Sequence, residues 1–241
     1  YENNVNNNFY TNYLAAWCLR YTLSVLESRQ SLVDNDERSQ WQHIVDNMHY
    51  PYDETRQVYL QQDGFLDKEL LTVDDIKEHR PINQKWSWDR ILRSPYIKQA
   101  DTLQGFYFFE DHFTKEQLEK HFDFYEPFTV HESSLSPCVH SIQAAILGKM
   151  DMAYTFYLRT SRLDLDDYNK EVKEGLHITS MAGTWMSIVE GFGGMRVKNN
   201  QLHFSPRIPK EWNGYSFKIN FRHQILEVSV QQNQTKFALE G

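Results

Sequence analysis

The period of the apolar residues changes once along this chain, at Gly194, and that change restricts the folds open to it. Before Gly194 the apolar residues recur every three to four positions, and after it they alternate. A helical stripe must bury one face against other helices, whereas an alternating strand buries one face of a sheet. Helices first and strands last exclude interleaved βαβ winding and point to two structural units. The expected architecture is mainly α, with a helical body over residues 1–194 and a short β segment over 195–241.

Phe9, Tyr13, Trp17 and Tyr21 form an i, i+4 row with Tyr10, Leu14 and Cys18 beside it, which predicts a helix from Phe9 to about Glu27 with the row in the core. A second helix is expected over residues 36–48, and residues 50–84 read as a long loop with little structure. Ser94-Pro95 has the form of a capping residue followed by a first-turn proline, so a helix is expected over 94–112. Thr114 and Gln117 fit a capping box for a helix ending near Phe124. Ser136-Pro137 repeats the cap and proline pattern for a helix to Leu147, stopped by Gly148, and residues 151–161 give another. Residues 177–189 read as helical and run into the cluster Gly191, Gly193 and Gly194. Residues 202–205, 217–221, 225–230 and 236–239 read as strands, with turns at 206–209 and at Asn213-Gly214. So few strands make an incomplete layer, expected to need partner strands from elsewhere in a longer protein.

At 241 residues the chain can bury a substantial core. Lys and Arg number 25 against 33 Asp and Glu, a net charge of −8, and no basic stripe is present, which excludes a nucleic-acid surface. No apolar run reaches the roughly 18 residues of a membrane span. Cys18 and Cys138 lie far apart without metal-ligand companions, so neither a disulfide framework nor a metal site is expected, and a reducing cytoplasm fits. Aromatic residues make up 15% of the chain, which suits a thick core or a sugar-binding cleft equally. The chain opens on Tyr1-Glu2-Asn3 with no initiator Met and no signal-like stretch, and an N-terminal part is expected upstream.

Five constellations could carry chemistry. His131-Glu132-Ser133-Ser134-Leu135-Ser136-Pro137 puts three hydroxyls ahead of a helix whose first N–H groups have no internal partner. That is the makings of an oxyanion or phosphate cradle, or of a simple loop in which Ser136 caps the helix. Glu132 suits an anion site only if it points elsewhere. On the 177–189 helix His177, Ser180 and Thr184 share one face, with Ile178, Ala182, Trp185 and Val189 on the others. Such a helix is expected to be buried on most sides, its polar stripe facing a cavity or partner, with a satisfied core histidine as the alternative. Gly183 inside it implies close approach by another group. Lys98-Gln99-Ala100-Asp101 could hold sugar hydroxyls or form a solvated helix face. Trp86 and Trp88 could stack on a sugar or pack internally. Six asparagines in the first twelve residues point to a loop tied down by side-chain amides, in which Glu2 is a conceivable general acid. Asn233-Gln234-Thr235 matches a glycosylation acceptor and, without an export signal, is read as chance.

In order and spacing these segments resemble the C-terminal part of glycoside hydrolase family 65, the inverting disaccharide phosphorylases. The resemblance runs from the asparagine-rich start through Lys98-Gln-Ala-Asp101, His131-Glu-Ser-Ser-Leu-Ser136, Gly175-Leu-His177 and Ala182-Gly-Thr-Trp185 to Gly191-Phe-Gly-Gly194 and the closing strands. It implies part of an (α/α)6 barrel followed by a small C-terminal antiparallel β layer. It also implies phosphorolysis of an α-linked glucose disaccharide with inversion, giving β-glucose 1-phosphate and glucose. Maltose is the expected disaccharide, with trehalose, kojibiose and nigerose open.

By the same resemblance Ser133, Ser134 and His177 hold phosphate, with Gly183 and Thr184 nearby. Lys98 and Gln99 contact glucose, and His131 and Glu132 line the same pocket. The family's catalytic glutamate lies in a Gly-Pro-Asp-Glu-Tyr motif whose last residue would be Tyr1. The acid is therefore expected immediately upstream, Glu2 is only a fallback, and the polypeptide alone is expected to be inactive. Phosphate is a substrate, and no cofactor, metal, nucleic acid or membrane is expected. A cytoplasmic homodimer is expected for the full-length protein. Two rivals remain at this stage: an inverting α-glucoside hydrolase of the same fold with Glu132 as base, and a non-catalytic carbohydrate-binding protein using Trp86 and Trp88.

Overall fold

Asn8 accepts a hydrogen bond from the Thr11 amide at 2.8 Å and so caps the first helix, α1 (Phe9–Leu26). The computed structural model describes residues 1, 4–27, 33–168 and 170–240, which divide into two units, Tyr1–Val130 and His131–Gly241.

In the first unit the aromatic row lies on α1, but it enters the core only at its start: Tyr13 and Trp17 are half-buried and Tyr21 is 57% exposed. Phe9 is fully buried and stacks between Tyr59 and Phe106, with ring centroids at 4.8 and 5.3 Å. Asp34 caps α2 (Asn35–Asp46) by accepting from the Glu37 amide at 2.7 Å. The 50–84 segment is mostly irregular, as its turn residues imply. It holds a minimal hairpin of β1 (Tyr52–Asp53) and β2 (Val58–Tyr59), a few 3-10 turns, and the single-turn helix α3 (Ile82–Lys85).

The helix expected from Ser94-Pro95 does not form. A short helix α4 (Trp88–Leu92) precedes it, and the Ser94 hydroxyl donates to Ile91 O at the end of α4. Pro95, Tyr96 and Ile97 are buried. Ile97 makes a parallel bridge, its amide donating to Phe128 O and its carbonyl accepting from the Val130 amide, both at 2.9 Å. Helix α5 (Thr102–Phe108) starts only afterwards. Thr114 and Gln117 form the reciprocal capping box of α6 (Lys115–Tyr125), at 2.9 and 3.2 Å.

The second unit is built on α7 (Pro137–Leu147), buried along most of its length and ended by Gly148 at φ +84°. Ser141 of α7 donates to Ala153 O of α8 (Met150–Ser161) at 2.8 Å. Helix α9 (Ile178–Met186) runs on into a π-helical turn over Ser187–Phe192, closed by the Gly193 amide on Ile188 O at 2.7 Å. The helical part ends at Gly194. Its φ is +58°, and a β-carbon there would lie 2.6 Å from Ser205 O, so only glycine fits.

The strands then follow as a hairpin of β3 (Arg196–Lys198) and β4 (Gln201–His203), and a three-stranded antiparallel sheet in the order β5 (Gly214–Phe221), β6 (Gln224–Gln231), β7 (Gln234–Leu239). Phe217 pairs with Val228 and Tyr215 with Val230, so the buried residues of both strands share one face and pack on Val189. Among the described residues no helix is long and apolar enough to cross a membrane.

Candidate functional site

In the second unit the candidate residues gather where two helices begin. Ser180 of α9 donates to Ser134 O at 3.2 Å, and Gly183 meets Cys138 of α7. The contacts advance in step along both helices, so α7 and α9 run parallel and begin at the same end. Helix N-termini carry unpaired N–H groups and a partial positive charge, and two parallel ones reinforce each other. Ser133, Ser134 and His177 all lie at that end, just ahead of α7 and α9.

Ser136 stands at the N-cap position of α7, yet it does not cap. Its backbone is already helical (φ −91°, ψ −39°), and its hydroxyl lies 2.8 Å from His131 Nδ1. His131 is buried with φ +52°. Arg159 of α8 donates to its carbonyl at 2.5 Å, and its ring meets His140 edge-on at 4.5 Å. Glu132 is buried as well, while Ser133 and Ser134 are half-buried. The Ser133 hydroxyl accepts from the Leu135 amide at 3.2 Å.

His177 is the residue ahead of α9, so it does not share a helical face with Ser180 and Thr184. Asp164 holds it twice. One carboxylate oxygen accepts from the His177 amide at 2.9 Å, and the other accepts from Nδ1 at 2.5 Å. Those two bonds hold the Asp164 carboxyl below its ordinary pKa. On the other side of the ring, Nε2 lies 3.5 Å from Glu171 Oε2.

The expected burial of α9 is reversed along the helix itself: Ser180 and Gly183 are buried and Ile178, Ala182 and Trp185 exposed, whereas Val189, in the π-helical turn beyond, is buried as expected. The buried side is set by close packing on α7, which admits only small residues. The close approach implied by Gly183 is that of Cys138. Thr184 donates its hydroxyl to Ser180 O at 2.8 Å, back along its own helix.

In the first unit Lys98 and Gln99 lie on the bends after the Ile97 bridge, not on a helix. Lys98 is exposed, with Nζ 6.0 Å from the ring centroid of Tyr1. Tyr1 packs on the cluster of Ile76, Ile82, Ile91, Tyr96 and Val130 and meets Trp88 edge-on at 6.3 Å. Trp88 is exposed, whereas Trp86 packs under the Arg90 guanidinium, 3.7 Å away.

The asparagine-rich segment is tied down by amides as expected. Asn7 donates to Asp63 at 2.6 Å and Asn12 to His49 O at 2.8 Å. Asn8 donates to Asp101 at 3.0 Å, and Gln61 reaches the same carboxylate, whose burial raises its pKa. Glu2 lies outside the described residues. Asp164, Glu171 and Arg159 went unnoticed in the sequence. Asp164 is thirteen residues from the histidine it holds, and no motif links them.

This fold and these segments define a carbohydrate-active family: the chain belongs to glycosyl hydrolase family 65. The family's central catalytic domain matches residues 1–186 and its C-terminal domain matches residues 195–241. Maltose phosphorylase of Bacillus subtilis (strain 168) is 54% identical over 99% of this chain and 32% of its own length. The alpha,alpha-trehalose phosphorylase of Thermoanaerobacter brockii is 42% identical over 98% of this chain and 32% of its own. A solved structure described as a kojibiose phosphorylase from the human microbiome superposes with a TM-score of 0.92 at 37% identity, over 99% of this chain and 33% of that one. The likeness shows the fold class: part of an (α/α)6 barrel followed by a small antiparallel β layer. The chain spans about a third of the length of the curated relatives it matches.

Proposed function

We propose that the protein containing this chain cleaves an α-linked glucose disaccharide with inorganic phosphate, inverting the anomeric centre to give β-glucose 1-phosphate and glucose. The observation that carries this reading is the shared starting end of α7 and α9, with Ser133, Ser134 and His177 beside it. Inverting hydrolysis needs a general acid and a base that activates water. Phosphate is already a nucleophile, so a donor-rich anion cradle can take the place of the base. Ser133, Ser134 and His177 are assigned to phosphate, with Gly183 and Thr184 behind them. Lys98 and Gln99 are assigned to the glucose that is transferred, and His131 and Glu132 to the pocket wall.

Maltose is the proposed disaccharide, because the maltose phosphorylase relative is 54% identical against 42% for the trehalose enzyme. No cofactor enters the proposed reaction. The general acid is assigned to the position just before Tyr1, so the 241-residue polypeptide by itself is expected to give no turnover. A cytoplasmic homodimer is the proposed state of the full-length protein.

The test is full-length protein with maltose, with and without phosphate, followed by the anomeric NMR signals. Phosphate-dependent β-glucose 1-phosphate is expected, lost when Ser133 and Ser134 are both changed to Ala. Glucose release at the same rate without phosphate would mean a hydrolase with Glu132 as base. Sugar binding without any reaction would mean a binding protein.

A further inference from the structure

The His177 ring is held on one side by a residue that no sequence pattern singled out. Asp164, in the turn after α8, takes both the backbone amide of His177 (2.9 Å) and its Nδ1 (2.5 Å). A carboxylate that grips amide and ring together fixes the position of the residue and the rotation of its imidazole. It also settles which nitrogen faces outward: Nδ1–H is given to Asp164, so Nε2 is the nitrogen left for a ligand. The ring is half-buried, its side chain 21% exposed. Nε2 already has an oxyanion close by, the Glu171 carboxylate at 3.5 Å, so it is a nitrogen that an anion can approach. Asp164 and Glu171 are the charged groups that face the ring among the described residues.

We infer that Asp164 is a positioning residue for the phosphate co-substrate, holding His177 so that Nε2–H is presented to a phosphate oxygen at the start of α9. The inference rests on the assignment of His177 to phosphate made above. With Nδ1–H committed to Asp164, Nε2 donates only from the imidazolium form, and the Asp164 charge offsets that of the cation. Asp164 touches neither phosphate nor sugar and acts through His177 alone. Glu171 is a carboxylate that phosphate must displace from Nε2.

The test uses full-length protein and steady-state kinetics with inorganic phosphate and maltose. Asp164→Asn is expected to raise the phosphate KM about tenfold while the maltose KM stays within about twofold. Asp166→Asn, which removes an equal charge from the Arg162 pair two residues away, is expected to change neither.

His177→Ala is expected to raise the phosphate KM at least as much as Asp164→Asn does. Adding Asp164→Asn to His177→Ala should do little more, because the carboxylate has lost the group it acts through. Asp164→Glu keeps the charge and should recover part of the loss, which guards against a variant that merely folds poorly. If His177→Ala raises the phosphate KM and Asp164→Asn leaves it alone, the role of Asp164 is overturned and the phosphate reading stands. If the two losses simply multiply in the double variant, Asp164 does not act through His177. If His177→Ala leaves the phosphate KM unchanged, the phosphate reading and the role of Asp164 fall together.

Discussion

Gly183 and Cys138 fix the separation of α9 and α7: a β-carbon at residue 183 would stand 2.7 Å from Cys138 Cβ and 2.9 Å from its Sγ. Neither atom is the loose end of a long side chain, so the helices themselves would have to part. Gly183→Ala gains about 1 kcal/mol of helix propensity, and overpacking costs about 1–3 kcal/mol. With β-carbons in collision the second effect wins. The expected outcome is a lower melting temperature and, because both helices begin at the proposed phosphate end, a raised phosphate KM. Cys138→Ser keeps the offending β-carbon and should not rescue it, whereas Gly183→Ala should be less harmful in a Cys138→Gly background. Equal harm in both backgrounds would show that the Cys138 contact is not the constraint.

Ser136 tests whether a helix-start hydroxyl is a cap or a partner of the buried His131. At a true N-cap, glycine replaces serine for a few tenths of a kcal/mol and alanine for about 1 kcal/mol. Here the hydroxyl lies 2.8 Å from His131 Nδ1 and makes no bond to the first turn. Taking a hydroxyl from a buried ring nitrogen costs about 1–3 kcal/mol whichever residue replaces serine. Thermal unfolding should therefore show Ser136→Gly losing at least as much as Ser136→Ala. The reverse order would restore the capping role.

His121 is expected to make the first unit acid-sensitive. Its ring is 1% exposed, accepts from the Tyr59 amide at Nε2 (2.8 Å) and lies 2.6 Å from Gln117 O at Nδ1. Burial pushes its pKa down to about 4. The unfolded chain takes up this proton below about pH 6.5, and the folded chain resists it. Stability is thus full above about pH 6.5, falls as pH drops toward 4, and levels off below, for a loss on the order of 3 kcal/mol. Melting temperatures between pH 7 and 4.5 should fall less steeply in His121→Gln, whose amide oxygen can still accept from Tyr59. An unchanged slope would place the acid sensitivity elsewhere.

The elements that sequence foretold are those whose instructions are local. Thr114 and Gln117 cap α6, Gly148 stops α7, and Phe9 enters the core, although Tyr21 at the far end of its row stays exposed. Ser94-Pro95 misled because proline suits extended backbone as well as a first helical turn. What decides there is the pairing of Ile97 with Phe128 and Val130, about thirty residues on, which no window reveals. The β5–β6 connection falls in the gap between the expected strands 217–221 and 225–230, but its conformation was not legible. Arg222 and His223 adopt φ +53° and +64°, a conformation that sequence reading expects of glycine or asparagine. Of the candidate site, the serines announced themselves as polar groups at a helix start, whereas His177 was expected on a helical face with Ser180 and Thr184 and stands instead ahead of α9. Asp164 and Glu171 did not announce themselves, since their meeting with His177 is made by the turn between α8 and α9. Periodicity told that α9 has two faces, but not that the one built of Ser180 and Gly183 goes inward.

Lys98 allows the proposed glucose assignment to be tested apart from the proposed phosphate assignment. Its side chain is exposed and its ammonium stands 6.0 Å from the Tyr1 ring, a cation–π contact worth about 0.5–1 kcal/mol at most. Lys98→Ala should therefore leave the melting temperature nearly unchanged, as exposed substitutions away from caps and cores do. If Lys98 holds the transferred glucose as proposed, its loss is a loss in the transition state, and kcat/KM for maltose should fall by about a hundredfold or more. Phosphate would still meet its own donors, and its KM should stay within about twofold. Lys98→Arg keeps the charge but changes the reach and the donor geometry, and should recover only part of the rate. If Lys98→Ala alters the phosphate KM and spares the maltose kinetics, the two assignments are exchanged. If it alters neither, Lys98 is a solvated side chain, and the sugar must be held by other residues.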